Sequence, residues 1–147
     1  MCSSDLHTQR MGFVYGSDTR GTHPFLPVID AEIIGCPQYP TTLPTLDEMI
    51  GLNGADVGNV HEALLAQTRE PFEHVYTLHA ELEGMKLAPI FEKLLEGWKQ
   101  QGYELVAMRE LVLGREPFTL PPHEVVAAPV PGRSGALATQ GRRFLTS

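Results

Sequence analysis

The 147 residues predict an α/β fold, and three features carry that prediction. Runs rich in β-branched and aromatic residues, His74–Leu78 and Tyr103–Met108, flank a segment in which Leu87, Ile90, Phe91, Leu94, Leu95 and Trp98 recur at the spacing of one helical stripe. Strand, helix and strand in that order form a βα repeat, which implies parallel pairing through right-handed crossovers. The third feature is polar clustering: Ser17–Arg20 and His79–Glu83 both follow apolar, strand-like runs, and chemistry in such folds gathers beyond the C-terminal strand ends.

The elements follow in order. Residues 12–16 read as a strand running into the polar loop Ser17–Gly21. Five prolines between residues 22 and 44 exclude long helices and predict extended segments or loops, a stretch long enough to be functional. Thr45 and Glu48 have the form of a capping box, so a short helix begins there and ends at Gly51 or Gly54. A second helix spans about residues 58–69, with Val60, Leu64, Ala63 and Gln67 inward and Pro71 as its stop. After the strand at 74–78, residues 80–84 form a polar turn, with Glu81 and Glu83 on the side of His79 if the extended geometry continues. Pro89 suits the first turn of the striped helix and Gly102 its C-cap. The strand at 103–108 leads to a short turn over 109–113. Beyond Pro117 the chain reads as mostly irregular, with a strand at 124–126 and a mobile tail from residue 141 to 147.

Composition narrows the function. A formal charge of -7 argues against a nucleic-acid partner, which needs a basic face to displace counterions. No run approaches the roughly 20 apolar residues of a membrane-spanning helix, so the expected location is cytoplasmic. Cys2 and Cys36 have no metal-ligand spacing and read as reduced thiols. Residues 1–6 read as an adapter-like, non-native extension, which puts the native domain at 7–140.

Few residues carry chemistry. His61-Glu62 begins like a zinc-protease motif but has Leu65 where the second histidine belongs, so His61 reads as a surface helix residue. His74 and His79 stand an odd number of residues apart and point to opposite faces of a strand, which argues against a metal pair. His79, at a strand end among carboxylates, suits a general acid, since a nearby negative charge favours the imidazolium. Asp18 is the carboxylate expected to tune it. Arg20 suits a phosphate contact through its forked donors, and Glu81 a substrate contact. The alternative reading is that His79 is a structural histidine and Arg20 part of a salt bridge.

Several short motifs share an order with a known family. They are Tyr15-Gly16-Ser17-Asp18-Thr19-Arg20-Gly21 with Pro24-Phe25, then Pro40-Thr41-Thr42-Leu43-Pro44-Thr45 with Asp47-Glu48 and Ile50-Gly51. Val75-Tyr76-Thr77-Leu78-His79-Ala80-Glu81 with Glu83-Gly84 comes next, and Gly132-Arg133-Ser134-Gly135 last. From Gly12 to Gln140 this resembles the C-terminal part of the NodB-type polysaccharide deacetylases, nearest to their deformylase branch. The resemblance implies a distorted (β/α) barrel and hydrolysis of an N-formyl or N-acetyl group on a sugar, with formamido-arabinose on undecaprenyl phosphate as the first-choice substrate and a polysaccharide as the alternative.

The resemblance further implies that His79 protonates the leaving amine while Asp18 tunes it. A divalent metal would activate the water in the complete enzyme, through ligands that this chain does not carry, so none is expected on the fragment. A lipid-linked or polymeric amino sugar is the implied partner, with peripheral contact to the inner membrane. The rival reading is a catalytically incomplete fragment that only binds sugar or lipid phosphate.

Overall fold

The computed structural model describes residues 11–145; the adapter-like residues 1–6, Cys2 and the final two residues of the tail lie outside that range. The α/β class is borne out, as several helices and one four-stranded mixed sheet. The chain divides into two compact units. One comprises the residues up to Thr42, Ala107–Val130 and those from Ser134 on; the other comprises Leu43–Val106 and Pro131–Arg133.

The first unit contains the sheet, in the order β2-β1-β3-β4. Strands β1 (Leu26–Ile29) and β2 (Glu32–Ile33) come from the proline-rich stretch read as extended or looped, and Asp30 and Ala31 turn between them at positive φ. β1 pairs parallel with β3 (Pro122–Pro129), and β3 pairs antiparallel with β4 (Ala136–Arg143). A register shift between His123 and Val125 marks a bulge in the β3–β4 ladder. Phe25, Leu26, Val28, Ile34 and Tyr39 are buried in this unit.

Several expectations are corrected here. The predicted strand at 12–16 is reduced to a single bridge between Gly16 and Gln38, and Phe13 and Val14 are exposed. The stretch beyond Pro117 is not mostly irregular but builds the β3–β4 hairpin, of which the predicted strand at 124–126 is one part. Residues 141–143 belong to β4 rather than to a mobile tail: Arg143 pairs with His123, and Arg142 forks onto Glu124 at 2.7 and 2.9 Å. Sequence periodicity understated these strands because their alternation is broken by small residues and the bulge.

The second unit is helical. Helix α1 (Leu46–Met49) begins with the expected capping box, and α2 (Val60–Gln67) packs Val60 and Leu64 inward. A π-helical turn (Leu82–Lys86) leads into α3 (Ala88–Gln100), whose stripe buries Ile90, Leu94 and Trp98 against Leu43, Leu46, Val60 and Leu64. The burial of such a stripe, about 1.5–3 kcal/mol for each large side chain, stabilises the unit. The Trp98 indole donates to Thr68 Oγ1 at 3.2 Å, so its N–H is satisfied inside the core. In α2, His61 is buried rather than on the surface and Gln67 is exposed, so the inward face is rotated from the expected one.

Residues 74–78 and 103–106 form no regular element, so the two predicted strands are not seen as strands. Helix α4 (Met108–Val112), the short turn expected after 108, belongs to the first unit, where Glu110 Oε2 accepts from the Ala107 amide at 3.0 Å.

Candidate functional site

Three segments of the helical unit converge on His79. The first is the start of α1. Glu48 reaches back to accept from the Thr45 amide at 3.0 Å, and with 1 % exposure it is a buried carboxylate. The adjacent residue, Asp47, stays partly open.

The second segment is the turn after His79. The chain leaves the extended conformation there, and the amides of Leu82 and Glu83 donate to the His79 carbonyl at 2.8 and 2.9 Å. Glu83 therefore does not alternate with His79 along a strand. Its carboxylate folds back, 2 % exposed, and accepts from the His79 amide at 2.9 Å and the Tyr76 hydroxyl at 2.8 Å. Burial first, then the hydrogen bond to Glu83, push the Tyr76 phenol far above its usual range, so it remains a donor.

The third segment is Pro131–Arg133. Gly132 sits at φ +81°, and a Cβ there would come 2.1 Å from the Glu48 carbonyl oxygen, so only glycine permits this approach. The approach brings Arg133 Nε to Glu48 Oε1 at 2.8 Å, and Nη2 to 3.3 Å from His79 Nε2 and 3.9 Å from Asp47 Oδ2. The bond to Glu48 leads the effects that raise the Arg133 pKa, so the guanidinium is permanently charged.

The donors decide the histidine tautomer. A guanidinium has no acceptor, so His79 Nε2 must accept from Arg133, and a neutral ring then carries its proton on Nδ1. Nδ1 faces Asp47 Oδ1 at 3.2 Å, an ionic contact that lies off the line of a well-directed hydrogen bond. Partial burial pushes the Asp47 carboxyl upward, but the Thr45 hydroxyl, the His79 ring and Arg133 together outweigh it and hold the carboxyl below its ordinary value. The result is an imidazole with a carboxylate behind Nδ1 and a quarter-exposed ring whose Nε2 meets the Arg133 guanidinium.

Of the four residues singled out from sequence, the helical unit contains His79 and Glu81, and Glu81 is exposed. Asp18 and Arg20 belong to the sheet unit. Asp18 is exposed, its amide donating to Gln38 Oε1 at 3.3 Å, and the Arg20 backbone joins Ala138 and Gln140 at 2.9 and 2.7 Å. The carboxylate found beside the His79 ring is Asp47. Sequence reasoning missed Asp47, Arg133 and the orienting role of Glu83, although Asp47-Glu48 and Gly132-Arg133 stood in the quoted motifs. Among the described residues, no three His, Cys, Asp or Glu side chains are grouped to hold a metal ion.

No protein-family model matches the chain. It is 38% identical over 132 residues, 90% of its length, to a probable 4-deoxy-4-formamido-L-arabinose-phosphoundecaprenol deformylase of Shewanella sediminis. A protein of the same name from Wigglesworthia glossinidia brevipalpis is 36% identical over 129 residues, 87% of the chain. Over about nine-tenths of its length the chain is thus similar to these deformylases. It spans 42% and 44% of the two relatives' lengths, less than half of each deformylase.

Proposed function

We propose that the protein to which this chain belongs removes the formyl group from formamido-arabinose carried on undecaprenyl phosphate, and that His79 supplies the proton to the departing amine. The observation that carries this reading is the His79 ring itself, with the Asp47 carboxylate 3.2 Å from Nδ1 and Arg133 on Nε2, in a chain similar to named deformylases. Hydrolysis of a formamide adds water to the carbonyl carbon and breaks the C–N bond, and the amine leaves readily only when its nitrogen is protonated.

The ring must first take a proton on Nε2, where Arg133 Nη2 now donates. Arg133 keeps its anchor on Glu48 and turns toward Asp47 Oδ2, while Asp47 offsets the imidazolium charge across Nδ1. Glu83 fixes the His79 backbone throughout. Asp18 remains proposed as an additional acid tuning His79, Arg20 as a contact for the lipid phosphate and Glu81 as a sugar contact. The family resemblance implies a divalent metal in the complete enzyme; among the described residues no three His, Cys, Asp or Glu side chains are grouped to hold it.

The proposed lipid-linked substrate brings the enzyme to the cytoplasmic face of a membrane. No helix among the described residues is long and apolar enough to cross one.

The test is His79→Ala in the complete enzyme, assayed on formylated and acetylated amino sugars. We expect kcat to fall roughly 10²–10⁴-fold with little change in KM, and the formylated sugar to be the better substrate. Near-normal kcat would make His79 structural, and a preference for the acetylated sugar would make the protein a deacetylase.

A further inference from the structure

The sheet unit brings together two histidines that play no part in the proposed reaction. His23 Nε2 and His123 Nε2 lie 3.3 Å apart, and the ring centres are farther apart, at 5.0 Å, so the two Nε2 edges turn toward each other. Among the described residues, every other hydrogen-bond partner of these rings is uncharged.

Those partners assign the protons. The Gly141 carbonyl can only accept, so His123 Nδ1 donates to it at 2.8 Å. Gln140 Oε1 accepts from the Thr22 amide at 2.8 Å, which leaves the Gln140 NH₂ to donate to His23 Nε2 at 3.1 Å. His23 then carries its proton on Nδ1, 2.9 Å from the Thr22 hydroxyl oxygen. Gln140 lies close over Gly21, where a Cβ would come within 2.5 Å of Oε1. In the neutral state both Nε2 atoms are unprotonated and stand 3.3 Å apart, with the His23 lone pair taken up by the Gln140 NH₂.

We propose that His23 and His123 form a binding site for a divalent zinc-like cation. Two nitrogens about 2.0–2.1 Å from a tetrahedral ion stand roughly 3.3–3.4 Å apart, which is the spacing found here. A histidine that binds metal through one nitrogen commonly donates from the other to a carbonyl or similar acceptor, which fixes the tautomer, and both rings do so. The bulge beside His123 in the β3–β4 ladder supplies the irregular backbone that aims its ring off the strand. On entry the ion displaces the Gln140 NH₂ from His23, and water completes the coordination. With two protein ligands the site binds more weakly than a closed four-ligand centre.

The experiment is a titration of the full chain with zinc, followed by calorimetry and by the imidazole resonances. The proposal expects one ion per chain, movement of the His23 and His123 resonances with those of His61, His74 and His79 unmoved, and affinity at least about tenfold weaker in His123→Asn. Resonances of His23 and His123 that stay still at millimolar zinc would overturn it, whether or not the variant folds. So would undiminished binding by a folded His123→Asn. None of these outcomes depends on deformylase activity.

Discussion

The two units use the same side chain in opposite surroundings. In the sheet unit, His23 and His123 face each other, and among the described residues their other hydrogen-bond partners are uncharged. In the helical unit, His79 stands between Asp47 and the Arg133–Glu48 pair, with a carboxylate ready to offset a proton on the ring. The comparison teaches that an imidazole's chemistry is set by what its second nitrogen touches. A neutral acceptor behind Nδ1 favours a lone-pair ligand, whereas a carboxylate favours a proton donor.

The largest effect expected from this contrast lies at Arg133. Arg133→Met takes the guanidinium away from the buried Glu48 carboxylate, and urea denaturation should show a loss of about 3 kcal/mol. In the other unit, His123→Asn should lose about 1 kcal/mol, the worth of one neutral hydrogen bond. Equal losses would erase the distinction between a histidine site built on an ion pair and one built on neutral hydrogen bonds.

Glu83→Gln comes next. An amide can still accept one of the two bonds from Tyr76 and the His79 amide, but its NH₂ meets a donor at the other, for a cost of about 1–2 kcal/mol. Hydrogen exchange at the His79 amide should accelerate in that variant; an unchanged rate would show that Glu83 does not fix the His79 backbone.

The smallest effect is on pH dependence. Burial lowers the folded pKa of His23 and of His74, so the neutral rings are the native ones. Their contribution is fully present above the unfolded value of about 6.5 and is lost as pH falls through the lowered folded values. Asp47, also lowered, contributes above the unfolded carboxylate value of about 4 and loses that contribution at still lower pH. Stability should therefore decline in two steps on acidification, and Asp47→Asn should remove part of the lower one. A single step unaffected by that variant would contradict the pairing of Asp47 with His79 and Arg133.

How much of this was legible in the sequence depends on the range of the interaction. The capping box at Thr45 and Glu48 and the stripe from Leu87 to Trp98 are written within a few residues, and both were read correctly. The sheet was not, because β1 and β3 lie far apart in sequence and β3–β4 is built from short, small residues with a bulge. His79 was singled out from its local motif. Arg133 meets it across 54 residues, through a glycine that admits the contact only once the chain has folded, and no periodicity announces such a meeting.

The account rests on which nitrogen of His79 is protonated, and the nitrogen chemical shifts of that ring report it directly. In the neutral ring the proton should sit on Nδ1, facing Asp47, with a bare Nε2 accepting from Arg133. A ring protonated on Nε2 with a bare Nδ1 would contradict the arrangement from which the proton-donating role was derived.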